Sequence, residues 1–237
     1  VKQIESYGAK IVKVANGRMR ACAAVKQNLG DAYYASHVYN PLFFEGIKSM
    51  AHELYEQLGY HVPDYIFMPV GNGTMLLGLF LGFMEIGRLP HFVAVQSSKC
   101  APLYEAYHEV PAEPKRATIA EAIRITQPKR LKDMVRAIKA SGGDVVKVLD
   151  KDILKAQKYL SHHGVYIEMT SAAALAGAVI ILTGIVGSLM GETVCKVCHI
   201  TDPLAKGLAL GTSAHAIGTS KALQMGEVEG AMSGLAI

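Results

Sequence analysis

Cysteine and charge are both scarce in this sequence. Four cysteines in 237 residues are too few for a disulfide scaffold, so we expect a reducing compartment. Only 19% of the residues are charged and 51% are hydrophobic, which excludes a disordered chain and favours a core of normal size. The net charge is +4, and the only basic run is the short one at residues 129–132. A nucleic-acid surface normally carries a denser patch, so we expect no nucleic-acid partner.

The sequence also lacks a start methionine and a signal peptide. It begins at Val1, in the middle of a pattern, and its first residues are polar and charged. These features predict a fragment of a longer protein, with residues 1–171 in the cytoplasm.

Short apolar runs alternate with helical patterns over the first 170 residues. The runs that predict buried strands lie at 65–70, 91–95, 144–148 and 165–167, and helices are expected at 43–58, 74–83 and 151–163. This alternation indicates an α/β fold with an open, mainly parallel sheet and flanking helices. Residues 9–14 predict a further strand, isolated from the others.

The composition changes near residue 172. Residues 172–191 carry no charge, and as a helix they would span about 30 Å, the thickness of a bilayer core. The same stretch fits a buried helix of the α/β domain equally well. We expect one continuous helix over residues 172–190, followed by an apolar, glycine-rich helical segment to the end of the chain.

A glycine-rich turn, Met68-Pro-Val-Gly-Asn-Gly-Thr74, joins the first predicted strand to a helix. This geometry directs backbone N–H groups and the positive end of the helix dipole at one point, where a phosphate can bind. Gly71 and Gly73 would permit the backbone angles and the close approach of a ligand, and Asn72 and Thr74 would add side-chain donors. An ordinary turn between strand and helix explains the glycines as well.

A second turn of this kind contains Thr170, in Glu168-Met-Thr-Ser-Ala-Ala-Ala173. Its hydroxyl could face a ligand at the carboxyl ends of the strands, where open α/β sheets bind ligands. The simpler interpretation is that Thr170 or Ser171 caps the next helix. If both turns serve one ligand, they must lie at the same edge of the sheet.

Taken together, these segments resemble threonine synthase, a pyridoxal-phosphate enzyme of fold type II, over about residues 1–177. The matching segments occur in the family's order and spacing: Tyr33-Tyr-Ala-Ser36, Asn40-Pro41, Phe44-Glu-Gly46, Pro63-Asp64, Pro69-Val-Gly-Asn-Gly-Thr74, Ala94-Val-Gln96, Cys100-Ala-Pro102, Thr118-Ile-Ala-Glu121 and the run from Glu168 to Gly177.

The resemblance implies that Gly71, Asn72, Gly73 and Thr74 hold the phosphate of pyridoxal 5'-phosphate and that Thr170 faces its pyridine nitrogen. It also implies an amino-acid substrate such as O-phosphohomoserine. Two positions depart from the family, since Ala122 replaces a glycine and Met169 a proline. The family's Schiff-base lysine belongs to a segment that precedes residue 1, and no lysine here has its Ser/Phe-Lys-Asp context. The resemblance therefore predicts an inactive fragment.

The last 60 residues resemble a different family, the LrgB membrane proteins, which are linked to holin-like and organic-acid transport roles. The similarity begins near Val179 and includes Ile200 to Ala236. It makes the polar group of His215, Thr219 and Lys221 a functional candidate in a membrane, although helix packing explains His215 equally well.

One further motif, Cys195-Lys-Val-Cys-His199, has the form of a c-type haem attachment site or half a zinc site. The absence of an export signal argues against haem, and the absence of a second ligand pair argues against zinc. We therefore predict no metal.

These observations predict three segments: 1–59 as the remnant of a smaller domain with its crossover helix, 60–171 as the phosphate-binding α/β domain, and 172–237 as the LrgB-like hydrophobic segment. A threonine synthase-type lyase fragment is the favoured function, and an LrgB-like transport or holin-like protein with a soluble extension is the alternative. Membrane contact through residues 172–237 and homo-oligomerisation are left open.

Overall fold

The computed structural model describes residues 2–15 and 18–236, without the side chains of residues 18, 19 and 213–217. Residues 1–41 and 42–237 form two compact units. The first contains helices α1 (Lys2–Ser6) and α2 (Arg18–Gln27). Residues 9–14 are irregular, so the isolated strand predicted there was wrong. A strand without a neighbour leaves its backbone hydrogen bonds unmade, and local sequence alone does not overcome that cost.

The second unit is built on a parallel sheet. Its strands β1 (Tyr65–Pro69), β2 (His91–Ser97) and β3 (Asp144–Val148) lie in the order β1-β2-β3. Tyr65 pairs with His91 in the first ladder, and Val93 pairs with Asp144 in the second. The open parallel sheet expected from the sequence is therefore confirmed.

Alternate residues of β2 belong to two separate apolar cores, because successive side chains of a strand point to opposite faces of the sheet. Phe92 and Ala94 belong to one apolar cluster, which also contains side chains from α3 (Leu42–Gln57), α4 (Thr74–Ile86), α5 (Pro102–His108) and α6 (Leu131–Ala140). Val93 and Val95 belong to the other, which includes side chains from α7 (Asp150–His162) and α8 (Met169–Val197). The sheet thus has helices on both faces.

Helices α3 and α4 approach closely because α4 has glycines where they cross. A Cβ atom at Gly78 would lie 2.4 Å from Ile47 Cγ2 of α3, and one at Gly82 would lie 2.6 Å from Ala51 Cβ. These two glycines let the backbones meet and bury Ala51 completely.

The fourth predicted strand, 165–167, is absent, because those residues are irregular. Their backbone groups bond to the end of α7 instead: Val165 N donates to Leu160 O at 2.9 Å, and Gln157 Nε2 donates to Ile167 O at 2.9 Å. The segment therefore satisfies its polar groups without joining the sheet.

Helix α8 runs without interruption for 29 residues, which confirms the continuous helix predicted over 172–190. Its first turns lie on the sheet, and Ala172, Ala173 and Ala176 are buried. Beyond them, Leu182 is 62% exposed and Leu189 is 75% exposed. The chain continues into α9 (Pro203–Met225) and α10 (Glu227–Leu235), which pack against each other.

Among the described residues, α8 is the one helix whose length and mean hydropathy of 2.2 would suffice to cross a membrane. Core helices of soluble proteins also pass this test, and the first part of α8 is such a core helix.

Candidate functional site

The glycine-rich turn after β1 forms the N-terminus of α4. Gly73 is the N-cap residue and adopts a left-handed conformation, with φ of 81°, which glycine reaches without steric cost. No side chain caps the helix. In the part of the chain that the structure describes, the side chains of Asn72 and Thr74 make no hydrogen bond. The amide groups of the first helical turn and these two side chains therefore remain as donors for a ligand.

The glycines of this turn are required by protein packing as well as by backbone geometry. A Cβ atom at Gly73 would lie 2.1 Å from Sδ of Met134, a fully buried residue of α6. One at Gly71 would lie 3.1 Å from Ile125 Cγ1 and 3.2 Å from Ile123 Cα. The close approach that the sequence assigned to a cofactor is thus made, on the Cβ side, by neighbouring protein atoms.

The 3₁₀ turn Glu121–Ile123 lies between the glycine-rich turn and α8. Ile123 contacts Gly71 and shares the second core cluster with Met169, Ala172 and Ala173 at the start of α8. The carbonyl oxygen of Ala122 lies 3.4 Å from a Cβ atom built at Gly71. One short element therefore connects the two turns that the sequence singled out.

Thr170 lies in the first turn of α8 and is 8% exposed. The N-cap position belongs to Glu168, so the interpretation of Thr170 or Ser171 as the helix cap was wrong. Further along, Gly177 packs against Val95 and Val146 of the sheet. The hydroxyl of Thr170 has no hydrogen-bond partner among the described residues, which leaves it able to bind a ligand atom.

A buried glutamine, which the sequence reasoning gave no role, supports the glycine-rich turn from behind. Gln96, at the end of β2, is fully buried, and its Nε2 donates to Val70 O at 3.0 Å. Its Oε1 accepts hydrogen bonds from Leu103 N at 2.9 Å and Tyr104 N at 3.2 Å. Gln96 thereby fixes the carbonyl before Gly71 and the first turn of α5. The sequence signal that could have revealed this role is an amide side chain near the end of an otherwise apolar strand.

Asp150, at the start of α7, holds the segment that leads into the 3₁₀ turn. Its carboxylate accepts hydrogen bonds from Thr118 Oγ1 at 2.6 Å and from Lys99 Nζ at 2.7 Å. Burial raises the pKa of this carboxyl, but the hydrogen bonds from Lys99 and Thr118 more than offset that effect and hold the pKa below its usual value. Asp150 is therefore an ionised anchor for residues 118–119.

The LrgB-like candidates are only partly described. The side chain of His215 lies outside the described residues. Thr219 Oγ1 and Ser233 Oγ are 2.9 Å apart, and Lys221 forms an ion pair with Glu192 at 3.3 Å. In the Cys-x-x-Cys-His motif, Cys195 is buried and Cys198 is exposed, and no group of metal-ligating side chains occurs within the described ranges.

Comparison with known proteins places this architecture. A family model described as pyridoxal-phosphate dependent enzyme matches residues 1–198. The chain belongs to this family. A model of the LrgB-like family matches residues 164–237, so both models include all of α8. The pyridoxal-phosphate enzyme relatives include threonine synthase of Methanocaldococcus jannaschii, 34% identical over 72% of this chain and 45% of the relative.

Another relative is the threonine synthase of Methanosarcina acetivorans, 32% identical over 87% of this chain and 53% of the relative. The chain therefore spans about half the length of the curated relatives it matches. Among solved structures, an L-serine ammonia-lyase from the fungus Rhizomucor miehei superimposes with a TM-score of 0.66 at 18% identity, over 78% of this chain and 60% of that one. Maize serine racemase gives 0.62 at 21% identity, over 75% and 56%. These similarities establish fold type II.

Proposed function

We propose that this chain carries the cofactor-phosphate half of an enzyme of the threonine synthase type, whose substrate is O-phosphohomoserine or a related amino acid. The observation that carries the proposal is the uncapped N-terminus of α4, which begins at a left-handed Gly73 directly after β1. The named relatives, threonine synthases at 32–34% identity, supply the reaction class.

In this proposal, the backbone at Gly71 and Gly73 and the side chains of Asn72 and Thr74 bind the phosphate of pyridoxal 5'-phosphate. The positive end of the α4 dipole adds to the attraction. The hydroxyl group of Thr170 would donate a hydrogen bond to the pyridine nitrogen. When bound, the cofactor supplies an electron sink for negative charge that develops on an amino-acid substrate. A neutral hydroxyl at this nitrogen suits replacement and elimination reactions, which do not require the ring nitrogen to be protonated.

The turn itself offers no amine to the cofactor. The side chains against its glycines belong to Ile125 and Met134, which are apolar. Three lysines of the α/β unit are held in ion pairs: Lys99 with Asp150, Lys115 with Glu105, and Lys147 with Glu113. We therefore propose phosphate binding without turnover for these 237 residues.

Titration of the protein with pyridoxal 5'-phosphate tests the phosphate site. We expect protein-bound absorbance that inorganic phosphate displaces, and weaker binding by Thr74→Val. The matched control is Thr183→Val, because Thr183 lies in α8 and its hydroxyl bonds only to its own helix, at Val179 O and Ile180 O. Binding that is insensitive to phosphate, or equally weakened by both substitutions, would remove the proposal.

A second proposal concerns the far half of α8, which we infer to contact a lipid bilayer. Two observations support it: the LrgB-like match includes this helix, and its apolar side chains, among them Leu182, Ile185 and Leu189, are exposed. Large exposed apolar surfaces on proteins mark partner or membrane sites.

A further inference from the structure

A polar cavity lies between the end of α8, the helix α9 and the start of α10. Its volume is about 510 Å³, within the range of about 300–1,000 Å³ that is usual for small-molecule sites. The lining contains three lysines and two glutamates, together with the apolar side chains of Ile200 and Met225. It is separate from the glycine-rich turn and Thr170, and neither proposal above uses it.

Three of the five charged side chains that line this cavity form ion pairs with one another. Glu192 forms ion pairs with Lys196 at 2.9 Å and with Lys221 at 3.3 Å, which tie α8 to α9. Two lining side chains of opposite charge remain, Lys206 of α9 and Glu229 of α10. Within the described part of the chain, neither forms a hydrogen bond or an ion pair through its side chain.

Glu229 is the more informative of the two because it is only 9% exposed. Burial of a carboxylate is costly unless an opposite charge or hydrogen-bond donors compensate it. Its carboxylate lies against Gly226 at the start of α10, which supplies no charge. The carboxylate of Glu229 is reached from the cavity and has no ion pair among the described residues, so it can bind a cationic group there.

Lys206 places a positive charge in the same cavity. It precedes Gly207, whose backbone lies against the carbonyl of Glu229, so both charged side chains extend from neighbouring points of the α9–α10 contact. They do not pair with each other. One ligand that pairs with both side chains carries a negative group and a positive group.

We propose that this cavity binds a free α-amino acid, with its carboxylate on Lys206 and its ammonium group on Glu229. The ligand side chain lies towards Met225 and Ile200. This site is independent of the proposed cofactor site, and its occupant is a ligand and not a reactant.

Isothermal titration calorimetry on the full chain, without added cofactor, tests the proposal. The probes are L-alanine, L-serine and L-leucine, compared with L-lactate, which lacks the ammonium group, and L-alaninamide, which lacks the carboxylate. We expect at least one amino acid to bind. For L-alanine we expect affinity about tenfold or more above both analogues, because each analogue leaves one cavity charge unpaired.

The variants Glu229→Gln and Lys206→Met should each weaken amino-acid binding about tenfold or more, whereas Glu227→Gln, an exposed glutamate in the same turn of α10, should bind as the unmodified protein does. No binding by any of the three amino acids overturns the proposal. So does L-lactate or L-alaninamide binding as tightly as L-alanine, or unchanged binding by a folded Glu229→Gln protein. The ligand series decides the matter even if a variant does not fold.

Discussion

Two glycines at opposite ends of α4 have the same backbone conformation but different surroundings. Gly73 has φ of 81° and faces Met134, whereas Gly87 has φ of 90° and faces open space. Alanine at either position costs the strain of a left-handed residue, and at Gly73 it also overlaps a buried side chain. We expect Gly73→Ala to lower the free energy of unfolding by about 2–4 kcal/mol and Gly87→Ala by about 1–2 kcal/mol.

Urea denaturation of both variants measures this difference. Adding Met134→Ala to Gly73→Ala should recover the steric part of the loss, which a double-mutant cycle isolates. Equal losses for the two single variants would show that packing against Met134 does not matter.

Asp150 gives a pH-dependent prediction. Its pKa in the folded protein is lowered, so its contribution to stability is present above the unfolded pKa of about 4 and is lost as the pH falls through the folded value. We expect Asp150→Asn to cost about 1–3 kcal/mol at pH 7, and the difference from the unmodified protein to shrink below about pH 4.

The control for this experiment is Asp152→Asn in the same turn, since Asp152 has only a distant ion pair with Lys155, at 3.8 Å. Thermal unfolding followed between pH 3 and pH 7, as an approximate range, tests both variants. A pH-independent difference for Asp150→Asn would contradict an ionised anchor at this position.

At the scale of elements, the α3–α4 contact depends on small residues. Gly82→Ala would place a methyl group 2.6 Å from both Ala51 Cβ and Lys48 O. Because one of these atoms is backbone, the helices must separate, and we expect a loss of about 1–3 kcal/mol. Gly46→Ala in α3 meets no atom within 4 Å and should instead stabilise the protein by about 0.5–1 kcal/mol. Chemical denaturation of the pair provides the measurement, and a stabilising Gly82→Ala would contradict the close contact.

The exposed half of α8 predicts binding to lipid vesicles. Replacing Leu182 and Leu189 by glutamate should reduce co-sedimentation with phosphatidylcholine–phosphatidylglycerol vesicles, because charges in the apolar surface oppose insertion. The control, Gln57→Glu with Gln127→Glu, makes the same charge change at exposed polar positions. If control and test variants sediment alike, the apolar surface of α8 is not the contact.

The elements show which parts of the fold sequence could predict. Helices α3, α4 and α7 and three strands followed from periodicity and turn residues that lie next to one another in the chain. The prediction of a strand at 165–167 failed because three apolar residues do not reveal whether a neighbouring strand is present. Gln157 and Leu160 form hydrogen bonds with the backbone of this segment instead. The exposure of Leu189 also depends on distant packing, which the uncharged run did not disclose.

The candidate site was predictable in a similar measure. Residues 71–74 stood out because strand, glycines and helix are adjacent in sequence, and their role as cofactor ligands stays a prediction. Their partners did not stand out, since Met134 lies sixty-one positions after Gly73 and Gln96 is joined to Val70 only through the sheet. The cavity at Lys206 and Glu229 could not be predicted, because it is formed where α9 packs on α10 and no hydrophobic periodicity in the sequence indicated that contact.

At the scale of the whole chain of 237 residues, tested as it stands, we predict no conversion of O-phosphohomoserine. The positioned lysine of the family acts as a base, and general-base catalysis alone contributes about 10²–10⁴-fold. Phosphate release from O-phosphohomoserine in the presence of pyridoxal 5'-phosphate should therefore not exceed that of the cofactor alone. Release above this background, together with a single lysine modified stoichiometrically on borohydride reduction, would contradict the prediction and identify a substitute lysine.

Because α8 is one continuous helix, its two halves cannot rotate independently about the helix axis. Each residue of an α-helix is rotated by about 100° from the one before it. Because Ala176 and Gly177 face the sheet, the directions in which Leu189 and Cys195 point are fixed as well. Inserting one residue between them turns the distal half by about a quarter of a circle and swings Cys195 out of its cavity, whereas seven residues bring it back to within about 20°. A helix in which two family matches overlap therefore has a fixed angular relation between its two ends, and only certain changes of length preserve that relation.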